Sequence, residues 1–212
     1  MDIDYVHLEN YAAKLVARNI ASEMREASES EGFPIDMCSY ARITHGALAL
    51  SAENTAQTIA DQLRLPPPDF LYVSPCCQTM TYWYESFARL LDVPCFYLDI
   101  PDTYHDSQFT RNVEYVRSQL EDYIKFLEDI SGRSFNWERL TNYLELVKEG
   151  TILKKQCFDL CRHVPSPMSQ FDWSISLAPT NNLRGSPEAV EYFKTLKNEL
   201  ADRVANNIGA VK

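Results

Sequence analysis

The sequence predicts an α/β fold, with a parallel-sheet α/β lobe over residues 1–101 followed by a helical lobe over residues 102–212. Three observations lead there. Two short, β-prone apolar runs lie between Phe70 and Leu98 with one amphipathic helical pattern between them. Strand, helix and strand within about thirty residues form a βαβ unit, whose strands must run parallel. After Pro101 the apolar residues recur at helical spacing only. A chain of 212 residues that is 45% hydrophobic and 12% aromatic can bury a substantial core, so disorder is not expected.

In chain order, Tyr11 to Ser30 reads as one helix with Ala13, Val16, Ile20 and Met24 on its apolar stripe, stopped by Gly32. A second helix is expected to begin near Cys38, with Asp36 as a possible cap. Ser51 to Leu65 is ambiguous, and Pro66-Pro67-Pro68 then enforces an extended approach. Phe70-Leu71-Tyr72-Val73 is a buried strand. Thr79 to Leu91 is a helix with Met80, Trp83, Tyr84, Phe87 and Leu91 on one face, and Val93 to Leu98 is the second strand, ended by Asp99-Ile100-Pro101.

Asn112 to Ile130 then reads as a long helix, with Val113, Val116, Leu120, Ile124, Phe126 and Leu127 expected inward and Gly132 as its stop. Asn136 can cap the next helix, whose stripe is Leu140, Tyr143, Leu144 and Val147, and the Val164–Pro167 loop breaks it. Ser186-Pro187 starts the last helix, with Ser as cap and Pro in the first turn. The segment from Asn206 to Lys212 reads as the exit of that helix into a connection. No internal repeat is present.

The formal charge of −10 argues against a nucleic-acid partner, which calls for a basic surface. No apolar run is long enough to cross a bilayer, so no membrane partner is expected. Met1-Asp2-Ile3-Asp4 does not open a signal peptide, so a cytoplasmic location is expected. In that compartment six cysteines are reduced core residues or ligands rather than disulfides.

Cys77 follows a buried strand and precedes a helix, and ligands of α/β sheets gather at the carboxyl ends of strands. Free amides and the positive end of the helix favour a thiolate there. Cys38 stands in a similar setting. A lone cysteine serves more often as a small core residue than as a ligand, so position alone leaves both readings open. Cys76 is adjacent to Cys77 and should point elsewhere, as a structural residue. Cys95 lies inside a strand and reads as core. Cys157 and Cys161, spaced i and i+4, could present two thiols on one helix face, but core packing is the simpler reading. His45 is either an acid–base group or a helix-surface histidine. Tyr82-Trp83-Tyr84 reads as core rather than a ring-binding surface. No zinc-ribbon spacing and no Gly-rich phosphate loop occurs.

Several segments together resemble the 2-hydroxyacyl-CoA dehydratase and benzoyl-CoA reductase family. They are Ile35-Asp36-Met37-Cys38-Ser39-Tyr40-Ala41-Arg42, then Pro67 to Leu71 with Cys77 and Trp83-Tyr84-Glu85, and then Val93-Pro94, Asp99-Ile100-Pro101 and Ser131-Gly132. Pro165-Ser166-Pro167-Met168, Phe171-Asp172, Arg184-Gly185 and Glu188 to Tyr192 continue the match. No single motif is specific; their order and spacing are. Matching on Trp83-Tyr84-Glu85 places the family's second ligand cysteine on Cys77 rather than Cys76, and the first falls on Cys38.

The resemblance implies a [4Fe–4S] cluster held by three thiolates with one iron open to a substrate thioester oxygen. It implies an acyl-CoA substrate, a second dehydratase or reductase subunit, and an ATP-dependent activator that supplies one electron. In a dehydratase the resulting ketyl radical anion expels the neighbouring hydroxyl; in a reductase electrons enter an aromatic ring. Family members extend further at both ends, and the third cluster cysteine lies in their C-terminal part, so this chain reads as an interior piece. A dehydratase subunit is the leading expectation, with a reductase subunit or a non-catalytic remnant that only binds a partner as alternatives and a simple electron carrier last. Cys38 and Cys77 are expected to face one cleft with Cys76 turned away, and Cys95, Cys157 and Cys161 to be buried structural residues.

Overall fold

The computed structural model describes residues 1, 3–52, 64–102 and 106–210, with no description of the Asp106 side chain. The ambiguous segment from Ser51 to Leu65 therefore lies largely outside the described residues. The chain divides into two compact units, Met1–Phe135 and Asn136–Lys212.

The first unit begins with helices α1 (Leu8–Ala17), α2 (Ala21–Ser30) and α3 (Ser39–Ala52). The single helix expected from Tyr11 to Ser30 is two. Asn19 takes a left-handed φ of 59°, the Ile20 amide reaches back to the Leu15 carbonyl at 3.3 Å, and the Asn19 amide reaches Val16 at 2.9 Å. That double bond pattern closes a helix, and Ile20 packs back on the core containing Leu15. The break resets the helical phase. Tyr11, Ala12 and Leu15 are therefore buried, while Ala13 and Val16, expected inward, are exposed. Gly32 ends α2 in the same way with φ 92°, as the sequence indicates.

Helices α1 and α2 both pack on α3. The α2–α3 approach is close because Gly46 has no side chain. A Cβ there would lie 1.6 Å from the Met24 carbonyl oxygen. The core beneath is Tyr11, Ala12, Leu15, Met24, Ile43 and Ala47.

The βαβ unit forms as expected from strand β1 (Leu71–Val73), helix α4 (Gln78–Leu91) and strand β2 (Cys95–Tyr97). The strands are parallel, with Leu71 opposite Cys95 and Val73 opposite Tyr97. Alternation along the strands sends Leu71, Val73 and Cys95 into the core with Trp83, Tyr84 and Phe87 of α4, and with Leu8 and Ala41. Tyr82, one step out of that phase, is exposed.

The opposite sheet face carries Tyr72 and Phe96, which meet Tyr123 and Phe126 of helix α5 (Asp106–Ser131) at ring separations of 4.7–5.5 Å. Helix α5 is also hooked to the exit of β2. Gln119 and Asp99 exchange hydrogen bonds of 2.8 Å in both directions, and Tyr115 donates to the Asp99 carboxylate at 3.0 Å. Packing on the sheet places α5 in the first unit, and the division between units falls at Phe135 rather than at Pro101. The aromatic contacts all involve the C-terminal part of α5, and Val113 and Leu120, expected inward, are exposed.

The second unit pairs helices α6 (Trp137–Leu160) and α9 (Pro187–Ala205), with short helices α7 (Gln170–Ile175) and α8 (Leu177–Asn182) between them. The Asn136 side chain accepts from the Arg139 amide at 2.8 Å, and Ser186 caps α9 with Pro187 in its first turn. Helices α7 and α8 go beyond what the sequence pattern indicates. A Ser169–Asp172 capping box starts the first of them. Ser176, fully buried, meets the Tyr192 hydroxyl at 3.1 Å and ties this segment to α9. Of the stripe expected on α6, Tyr143 and Leu144 are exposed, and the contact with α9 lies further along, at Cys157.

Candidate cluster-binding site

Cys38 and Cys77 occupy equivalent local positions. Cys38 stands immediately before α3, and its carbonyl accepts the Arg42 amide at 3.0 Å. It holds the capping place considered for Asp36. Cys77 is the residue before α4, with extended backbone (φ −149°, ψ 160°), and its carbonyl accepts the Met80 amide at 3.2 Å. Each thiol thus stands at the N-terminal end of a helix, beside backbone amides that have no intrahelical partner. Cys77 is exposed and Cys38 half-buried, its inner side packed on the core that also seats α4.

The segment entering Cys38 is held from two sides. Arg42, nearly buried, donates to the Ile35 carbonyl at 2.9 Å and pairs with Glu29 at the end of α2. Phe33 packs on the His45 ring at 4.1 Å. His45 is neither a surface histidine nor an open acid–base group. It is 2% exposed, between Phe33 and Phe87. Its Nδ1 lies 2.8 Å from the Ala41 carbonyl, which can only accept, so Nδ1 carries the proton. Its Nε2 is then the acceptor for the Ser86 hydroxyl at 2.9 Å. Burial holds the imidazole below its ordinary pKa, which favours the neutral ring in which Nε2 accepts.

The other four cysteines fall into two kinds. Cys76, expected to be structural, is exposed, with its thiol 3.2 Å from the Met80 sulfur. Cys157 is fully buried against Met168, Phe193 and Leu200, and burial pushes its thiol up to about 11. Cys95 and Cys161 are half-buried, and burial raises both thiols. A thiol held protonated is a poor metal ligand.

A thiolate-bound iron–sulfur cluster suits this donor set in kind. In number the set is short: among the described residues no three His, Cys, Asp or Glu side chains converge. No helix among them is long and apolar enough to cross a membrane.

The model of the 2-hydroxyglutaryl-CoA dehydratase D-component family matches residues 6–212, and the chain belongs to that family. It is 34% identical over 205 residues to the (R)-2-hydroxyisocaproyl-CoA dehydratase alpha subunit of Clostridioides difficile, covering 96% of this chain and 48% of that protein. It is 30% identical to the (R)-phenyllactyl-CoA dehydratase alpha subunit of Clostridium sporogenes, again over 96% of this chain and 49% of the relative. A benzoyl-CoA reductase subunit of Thauera aromatica is 26% identical over 87% of this chain and 42% of its own length. The chain therefore spans about half the length of the curated relatives it matches.

Proposed function

We infer that the chain is part of a 2-hydroxyacyl-CoA dehydratase subunit in which Cys38 and Cys77 supply two thiolate ligands to a [4Fe–4S] cluster. The observation that carries this reading is their shared placement. The two cysteines singled out by the family motifs each stand directly before a helix resting on one core, while Cys95, Cys157 and Cys161 carry raised thiols in cores. Three dehydratase subunits at 34%, 32% and 30% identity, against 26% for the reductase subunit and for one further dehydratase subunit, favour dehydration over ring reduction.

When bound, the cluster supplies Lewis-acid and one-electron chemistry at the thioester carbonyl of an acyl-CoA. The residues of this chain hold and protect it. The starts of α3 and α4 present Cys38 and Cys77 at the ends of their loops. Arg42 and Phe33 fix the segment that delivers Cys38. Leu71 and Val73 of the sheet form one apolar core with Trp83 and Phe87 on the inner face of α4. The remaining protein ligand comes from outside these 212 residues, and the acyl-CoA, a second subunit and an ATP-dependent activator complete the reaction.

The test is anaerobic. The chain, extended by the C-terminal half of a related dehydratase alpha subunit, is combined with iron, sulfide, a second dehydratase subunit and an activator, and 2-hydroxyacyl-CoA is followed for loss of water by mass. Turnover that disappears in Cys38→Ser and Cys77→Ser supports the reading. Ring reduction of benzoyl-CoA instead would move the assignment to the reductases. Turnover indifferent to both substitutions, or a stable four-iron cluster in this chain alone, would overturn the ligand set.

A further inference from the structure

We propose that the buried His45–Ser86 hydrogen bond is a positioning device that sets the spacing between Cys38 and Cys77. It rests on the reading of those two thiols as ligands. His45 lies on α3 and Ser86 on α4, the two helices that begin at the candidate ligands. His45 also packs on Phe33, in the loop that leads to Cys38, and edge-on against Phe87 of α4. One side chain therefore touches the entry to the first thiol and the helix that starts at the second.

In the neutral ring the polarity of the bond is set. With Nδ1–H donated to Ala41, one turn from Cys38, the ring cannot rotate without breaking a buried hydrogen bond. Its Nε2 then aims at Ser86. His45 lies roughly 10 Å along α3 from Cys38, and Ser86 roughly 13 Å along α4 from Cys77, at 1.5 Å per residue. A tilt of about 5° at this crossing moves each thiol by on the order of 1 Å over those lengths. Metal–ligand distances tolerate only about 0.2 Å. Partners hydrogen-bonded directly to a metal ligand commonly alter affinity about 10–100-fold, and a bond acting from further along the helices is expected at the lower end.

The experiment uses the apo chain and cobalt(II), whose thiolate charge-transfer absorption reports binding by cysteine. Ser86→Ala removes only the hydroxyl and leaves the helix and the His45 ring in place. It should weaken cobalt binding about tenfold, while Ser86→Thr, which keeps a hydroxyl, restores it. In a Cys77→Ser background one thiol remains and spacing no longer matters, so Ser86→Ala should change nothing further. Circular dichroism at the working temperature verifies that each variant is folded. Equal affinity in wild type and Ser86→Ala, or an equal loss in the Cys77→Ser background, overturns the positioning role. A charge-transfer band that survives both Cys38→Ser and Cys77→Ser overturns the ligand reading itself, and the positioning role with it. That outcome differs from a band that needs both cysteines yet ignores Ser86.

Discussion

Two pairs of cysteines, one in each unit, stand in different surroundings. In the first, Cys38 and Cys77 are far apart in sequence, and each sits on a loop just ahead of a helix. In the second, Cys157 and Cys161 stand at i, i+4 spacing at the end of α6, a spacing that could present two thiols on one face but reads more simply as core packing. The i, i+4 pair belongs to the α6–α9 core, where desolvation holds both thiols protonated. The distant pair lies at helix N-termini on one core. Spacing tells whether two thiols can share a face; electrostatic setting and solvent access tell whether either can be a thiolate.

The contrast can be broken first at its frame. Gly46→Ala should have the largest effect, because the added Cβ meets backbone, not a side chain that can swing away. The α2–α3 pair must separate, at a cost on the order of 3 kcal/mol or more. Urea unfolding followed by circular dichroism measures it, and an unchanged midpoint would show that the helices slide apart freely.

Cys157→Ala tests the other pole. It should cost about 1 kcal/mol, as expected for loss of a small buried group, and leave iron uptake unchanged. Loss of iron in this variant would show that the helical pair had been misjudged.

His45 of the first unit sharpens the contrast through pH. Its folded-state pKa is lowered by burial, so the unfolded chain binds the proton more readily. The contribution of His45 to stability is complete above the unfolded pKa, and it is lost as pH falls below about 6.5. The urea midpoint should therefore drop between about pH 7 and pH 5, and His45→Gln should flatten that dependence. An identical slope in the variant would assign it to other groups. The smallest effect is expected at Arg117, an exposed side chain paired with Glu114 and Glu121 along α5. Arg117→Ala should leave the midpoint within error in moderate salt, because exposed pairs gain little over solvation.

Much of this frame is legible in the sequence. The two strands, the helix between them and its inward Trp83, Tyr84 and Phe87 follow from periodicity, because both faces of that unit are set by burial. The caps at Asn136 and Ser186 are readable because a polar side chain before a helix has one dominant use. The break at Asn19 is not, since Ala13, Val16, Ile20 and Met24 form a passable continuous stripe. Asn followed by an apolar residue is the available signal. Helices α7 and α8 are too short for periodicity to register, although Ser169-x-x-Asp172 marks the start of the first.

At the site, the helix-start positions of Cys38 and Cys77 can be read locally. The burial of His45 and its bond to Ser86, 41 residues away, depend on how α3 and α4 meet. Gly46 is visible as a glycine inside a helical pattern, but its reason is a backbone contact with Met24 that no local pattern encodes. Cys76 is expected from sequence in a structural role, yet it is as exposed as its neighbour. Its assignment away from the cluster therefore rests on the motif match to Cys77 and not on burial.

That adjacency makes Cys76 the sharpest control for the central claim. Wild type, Cys76→Ser and Cys77→Ser are incubated anaerobically with ferrous iron and sulfide, and bound iron is measured together with the thiolate-to-iron absorption. Both substitutions remove one exposed thiol from the same loop, so general loss of stability cannot separate them. The account predicts that Cys77→Ser loses the greater part of the bound iron and its absorption while Cys76→Ser retains both; equal losses, or the reverse order, would contradict it.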